Sequence, residues 1–187
     1  MKTDYLLHSA ETAPERSRLL LEQVQDKYGM IPNLHRVMAS SPSLLQAYME
    51  IDAAFASSSL TPVERQVVYI TTSVTNGCTY CVAAHSVISD KSGIPLAVTD
   101  ALRDGTVIPD TKLEALRVFT QQLVEKRGWV EPEVIEHFYA AGYNQQSLLD
   151  VIVGVGQKTV SNYMNHLSST PLDDVFSSRQ WTATTFQ

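Results

Sequence analysis

The chain holds only two cysteines in 187 residues. They stand three apart, with a histidine four beyond the second: Cys78-Thr-Tyr-Cys81-Val-Ala-Ala-His85. On a helix, spacings of three and four place these side chains along one face. Asn76-Gly77 just before them is a turn-like entry, so the pair is expected to open a helix. Unpaired amides at a helix start favour a thiolate, the reactive form of cysteine. Two thiols one turn apart can also close into a disulfide, and the pattern reads as a redox centre.

Other chemistries fit less well. Two buried cysteines can simply pack as small apolar residues. A structural zinc site wants a fourth ligand, and there is no second cysteine pair. Haem attachment needs histidine directly after the second cysteine, where Val82 stands. Met1-Lys2-Thr3-Asp4-Tyr5 has no apolar signal core and no run approaches membrane-spanning length, so a cytoplasmic setting is expected. There a CxxC pair is normally catalytic rather than structural. The net charge of −6 argues against nucleic acid or an anionic membrane as partner, while 44% hydrophobic residues support a buried core.

The elements that must position the cysteines are helical, since no sustained apolar/polar alternation suggests a sheet. A first helix is expected from Pro14 to Tyr28, with Leu19, Leu20 and Val24 on its apolar side and a stop at Gly29. A short helix over Leu34–Ala39 and another from Pro42 to Ala56 follow. Thr61-Pro62-Val63-Glu64 is a capping box with proline at the first position, starting a helix to about Val74. Further helices are expected near Pro95–Arg103, Lys112–Lys126, Pro132–Ala141 and Gln145–His166. Gly154 and Gly156 cost helix stability, which suggests close helix–helix approach. After Ser168 the chain reads as an extended arm whose Phe176 and Trp181 dock on the body or a neighbouring subunit.

The stretch from Leu60 through the capping box to Asn76-Gly77-Cys78-Thr-Tyr-Cys81-Val-Ala-Ala-His85 resembles the AhpD-type alkylhydroperoxidase core of the carboxymuconolactone decarboxylase-like superfamily. The resemblance is best over residues 60–92 and weaker through Gln145–His166 and beyond, as in peroxidase-related members. It implies an all-α bundle over a single domain spanning 1–187, with a core at about 34–166 and a C-terminal arm at 168–187. It also implies a trimer or hexamer and reduction of hydrogen or organic peroxides by the cysteine pair. By that likeness Cys81 is the peroxidatic thiolate, Cys78 the resolving thiol, and His85 relays protons or orients Cys81. No bound cofactor is implied; an external dithiol of thioredoxin or lipoyl type restores the pair.

One position departs from the pattern. AhpD-type cores carry a relay glutamate twelve residues before the first cysteine, and here that residue is Gln66, which cannot shuttle a proton. Glu64 lies about 200° around the helix from Gln66, and its capping box accounts for it at least as well as a site role does. Tyr80 could line a pocket or merely pack. Asn162, Asn165 and His166 could face the cysteines, although a helix cap or interface is the preferred reading. His8, His35 and His137 show no partner pattern and are expected to be surface or satisfied histidines. Two other functions compete: a lactone decarboxylase-like enzyme, whose superfamily members typically lack the cysteine pair, and a redox sensor that oxidises once without turnover.

Overall fold

The structure is a computed structural model that describes residues 5–183. Residues 1–4, on which the reading of no signal core rests, lie outside the described part, as do residues 184–187 of the arm. Among the described residues there are nine α-helices and no strand: α1 Glu15–Tyr28, α2 Asn33–Met38, α3 Pro42–Ala56, α4 Pro62–Thr75, α5 Thr79–Lys91, α6 Leu96–Asp104, α7 Thr111–Glu125, α8 Pro132–Ala140 and α9 Gln145–Ser168.

Local chemistry fixes the starts of several of these. Ser41, Asp110 and Asn144 accept the amides of Leu44, Leu113 and Ser147 at the heads of α3, α7 and α9. At α4 the capping box is complete: Thr61 accepts the Glu64 amide while the Glu64 carboxylate accepts the Thr61 amide at 2.8 Å. The turn from α4 into α5 sets the site. Gly77 takes φ 69°, so its amide reaches the Val74 carbonyl at 2.9 Å and the Cys78 amide reaches Ser73 at 2.8 Å. That left-handed residue is cheap only for glycine, and it delivers Cys78 as the N-cap of α5.

Helix α4 is central and packs against α5, α6, α7 and α9, while α9 also packs on α3. Two apolar clusters result. One gathers Phe55, Val68, Ile70, Leu116, Phe119 and Phe138; the other gathers Leu21, Leu45, Tyr48, Tyr80, both cysteines and Phe176. The site lies where they meet.

Three expectations need correction. On α1 the buried residues are Ser17, Leu21 and Val24, and Leu19 is 64% exposed, because the packed stripe runs one residue further round the helix. A Cβ on Gly154 would stand 2.5 Å from Phe55 Cζ, whereas one on Gly156 meets nothing within 4 Å. Only the first glycine marks a close approach. The arm is not extended: Asp174–Arg179 forms a 3₁₀ helix packed on α5. Phe176 is buried there, and the Trp181 indole N–H donates to the Arg103 carbonyl at 3.0 Å, so both aromatics dock on the chain's own body.

Candidate active site

Both cysteines are free thiols and almost wholly buried. Cys78 caps α5 and Cys81 sits in its first turn, so the α5 start holds the two sulfurs together. Helix α9 supplies a polar wall behind them. The Asn165 amide donates to Cys81 Sγ at 3.3 Å and reaches Cys78 Sγ at 3.7 Å, and Ser161 Oγ lies 3.8 Å from Cys81 Sγ. The preferred cap or interface reading of Asn165 is therefore wrong. Asn162 is also inward, bonded to Asn76 at 3.0 Å, while His166 is exposed.

The two thiols are electrostatically unlike. The hydrogen bond from Cys78 lowers the Cys81 pKa; burial opposes this, and the Lys158 charge with hydrogen bonds from Ser161 and Asn162 outweighs the opposition. Cys78 moves the other way, through its hydrogen bond to Cys81, burial and the Cys81 charge. One proton is thus shared unequally, and the thiolate resides on Cys81.

His85 does not touch the sulfurs. Its Nδ1 lies 2.9 Å from Gln66 Oε1, and its Nε2 lies 2.7 Å from Lys158 Nζ. The Gln66 oxygen can only accept and the ammonium can only donate, so the imidazole carries its proton on Nδ1 and is neutral. Burial and the Lys158 charge push its pKa well below the ordinary value, in agreement. His85 therefore positions Lys158.

Lys158 is 1% exposed and forms no direct ion pair among the described residues. Its ammonium stands 4.8 Å above the Tyr69 ring, an attraction between the cation and the negative ring face. The Tyr69 hydroxyl donates to Gln157, whose amide donates to Asp52 at 2.9 Å, and Asp52 pairs with Lys27 at 2.6 Å. Burial opposes ionisation of Asp52, but these hydrogen bonds hold its carboxyl below the usual range. Lys158 was missing from the sequence-based candidates. The available signal was Gln157-Lys158 set inside an otherwise small and apolar helical stretch, Val151–Val160.

Glu64 stands apart. Its carboxylate serves the capping box and pairs with Lys112 at 2.9 Å, and it does not line the cavity described next. Tyr80 packs and lines at once: it is 5% exposed, its hydroxyl donates to Asp173 at 2.5 Å and accepts the Leu34 amide at 3.3 Å, and its ring borders the cavity.

That cavity has a volume of about 460 Å³ and reaches Cys81, Gln66, His85 and Lys158. Tyr28, His35, Tyr48 and Asp52 also bound it. His35 is not an ordinary satisfied histidine: it is 6% exposed, and its Nδ1 has no hydrogen-bond partner among the described residues. Burial, with help from the Lys158 and Lys27 charges and against Asp52, pushes its pKa down to about 4. A smaller cavity of about 310 Å³ reaches Cys78, between Thr79, Asn165, His166 and Thr170. Tyr80 lines both cavities, one of which reaches Cys81 and the other Cys78.

Residues 42–95 match the model of the carboxymuconolactone decarboxylase family. No curated protein matches the chain. Among solved structures, an AhpD-core, uncharacterized peroxidase-related protein from Ralstonia eutropha JMP134 superposes with TM-score 0.82 at 24% identity, over 94% of this chain and 95% of that one. A peroxidase-related protein from Silicibacter sp. TM1040 gives 0.79 at 20% identity, over 95% and 94%. The debrominase Bmp8, solved in complex with 2,3,4-tribromopyrrole, gives 0.80 at 13% identity over 96% of each chain. These likenesses establish the all-helical AhpD-type fold.

Proposed function

We propose that this chain, an AhpD-type member of the carboxymuconolactone decarboxylase-like superfamily, is a thiol-dependent oxidoreductase that reduces peroxides through the Cys78–Cys81 pair. The observation that carries the reading is the buried Lys158 ammonium, which pairs with no carboxylate among the described residues and whose charge favours a thiolate on Cys81. A purely packed cysteine pair would have no use for a desolvated cation beside it.

In the first step the Cys81 thiolate attacks the terminal oxygen of ROOH. An S–O bond forms and the O–O bond breaks, giving Cys81–SOH and RO⁻; the sulfur is oxidised and the peroxide reduced. RO⁻ takes a proton from the Lys158–His85 pair and leaves as ROH. The Cys78 thiol then displaces water from the sulfenic acid to form the disulfide, and an external dithiol restores both thiols by exchange. Gln66 holds the Nδ1–H tautomer of His85. The relay is therefore assigned to Lys158 rather than to a carboxylate at position 66. Access from the smaller cavity suits attack of the dithiol on the Cys78 sulfur.

The test is stopped-flow mixing of the reduced protein with cumene hydroperoxide, with a sulfenate trap and mass spectrometry. Oxidation should appear first at Cys81, accumulate as sulfenate in Cys78→Ser, and vanish in Cys81→Ser. Peroxide consumption unchanged in Cys81→Ser refutes the reading. A second reading is favoured by the ring-sized cavity beside Cys81: thiol-dependent reduction of a cyclic organic molecule other than a peroxide, in line with the bromopyrrole bound by Bmp8.

A further inference from the structure

The cavity that reaches Cys81 differs in charge from the rest of the molecule. The chain carries a net −6, yet four cationic residues line the cavity, Lys27, Arg65, Lys91 and Lys158, against two anionic groups, the Asp52 carboxylate and the Cys81 thiolate, so the lining stays net positive. That carboxylate is already paired with Lys27. Arg65 donates to the Leu60 carbonyl, and Arg65, Lys91 and Lys158 make no direct ion pair among the described residues. A cleft of one sign in a protein of the other focuses field into the cleft and raises the local concentration of oppositely charged ligands.

The walls say what the anion is attached to. Tyr48, Tyr69, Tyr80 and Phe176 border the space, and about 460 Å³ greatly exceeds what a bare peroxide needs. Cavities of roughly 300–1,000 Å³ with apolar walls and a few polar groups are typical of small organic ligands. His35, in the wall of the same cavity, is buried, and its Nδ1 has no hydrogen-bond partner among the described residues. A neutral imidazole held there without a protein partner can receive or give one hydrogen bond to a ligand.

We propose that this cavity is the binding site for an organic acid of one or two aromatic rings, with its anionic group drawn by Lys158 and the rim cations Arg65 and Lys91, its rings against Tyr48, Tyr69 and Phe176, and a polar substituent on His35. The proposal names the ligand class of the site; an acid of this class that also carries a hydroperoxide would be its substrate, a step that rests on the reading above for the chemistry, not for the binding. A neutral alkyl hydroperoxide of similar size leaves the cationic lining unmatched and is a poorer ligand.

Calorimetry with 1-naphthoate and its neutral isostere 1-naphthamide tests this, on the reduced wild type and on the Cys78→Ser/Cys81→Ser double variant, which cannot turn over. Naphthoate should bind one per chain and at least tenfold more tightly than the amide in both proteins, and its affinity should fall as salt is raised. Lys158→Met should abolish the preference for the anion; a hydroxylated naphthoate should bind severalfold more tightly than 1-naphthoate, and His35→Phe should remove that gain while keeping the preference for the anion. If Lys158→Met does not fold, Lys91→Met at the exposed rim replaces it and should weaken naphthoate at least twofold at low salt. Absence of naphthoate binding at millimolar concentration, equal affinity for acid and amide, or an anion preference unaffected by the lysine variant overturns the proposal. Because the double variant has no redox chemistry, a failure of peroxide reduction leaves this result standing, and the reverse also holds.

Discussion

The Lys158 charge, 77 positions further along the chain, adds to the Cys78 hydrogen bond in lowering the Cys81 pKa, and its removal should be visible in the thiol titration. The folded environment depresses the Cys81 pKa, so thiolate reactivity is present above that depressed value and is lost as pH falls through it. In Lys158→Met the profile should move to higher pH. A shift of one unit corresponds to about a tenfold loss of thiolate below the pKa, read by thiolate absorbance near 240 nm or by alkylation rate against pH. Gln66→Glu should not raise peroxide turnover. A carboxylate would accept the same Nδ1 proton but draw His85 towards imidazolium, against the ammonium 2.7 Å away. Unchanged or reduced turnover, with a raised Cys81 midpoint, is expected; a large gain would return the relay to position 66. His35 makes a separate prediction. Its pKa is lowered from 6.5 to about 4, so between these values the unfolded chain binds a proton that the native chain refuses, and stability falls as pH drops from 6.5 towards 4. The contribution is up to about 3 kcal/mol. His35→Phe should flatten the stability–pH curve by about one proton in that window, as followed by urea unfolding; an unchanged slope would mean that His35 titrates normally. None of this was open to the sequence, which showed the cysteine pair, His85 and the substitution at position 66. Partners 19 and 73 residues from His85 become neighbours only when α4, α5 and α9 pack.

Helices were legible because their boundaries are written in local chemistry. The Thr61 capping box, Pro42 and Pro132 near helix starts, and Gly29 and Gly105 at left-handed ends put element limits within a few residues of those expected. Which face of a helix packs is set by its neighbours, and there the sequence failed: Leu19 faces outward, and Asn165 turns in to the sulfurs. The two glycines of α9 show the same limit. Gly154→Ala would force its Cβ to 2.5 Å from the fully buried Phe55 and 2.8 Å from Val68, so overpacking should destabilise the protein by about 1–3 kcal/mol. Gly156→Ala meets open space and removes a poor helix former, with a gain of up to about 1 kcal/mol. Paired thermal melts of the two variants decide this, and similar effects in both would contradict the packing described for α3, α4 and α9.

At the scale of the whole molecule, the C-terminal segment docks on its own body, whereas the sequence offered its aromatics as anchors for a neighbouring subunit. The arm is bound in cis: Arg103 donates to the carbonyls of Arg179 and Gln180, Arg179 pairs with Asp90 and Asp100, and Asp173 accepts the Asn33 amide and the Tyr80 hydroxyl. Its Phe176 meets the Tyr80 ring edge-on and closes one side of the cavity. Truncation after Ser168 should therefore lower thermal stability and speed alkylation of Cys81. A homo-oligomer would need a different surface, because the arm's aromatics are already occupied. Leu149, Ile152, Tyr163 and Leu167 are all about half exposed or more on α9, and at 100° per residue they fall within about 60° of one another. An apolar stripe of this kind on an otherwise charged chain is suited to a homo-oligomer contact. Ile152→Glu with Leu167→Glu should shift the sedimentation profile towards monomer while leaving the Cys81 titration in place, since neither residue lines the cavity. Truncation of the arm should do the converse, disturbing the thiol before the assembly. If truncation dissociates the protein and the α9 variant does not, the arm, despite its docking in cis, is the contact that holds copies together.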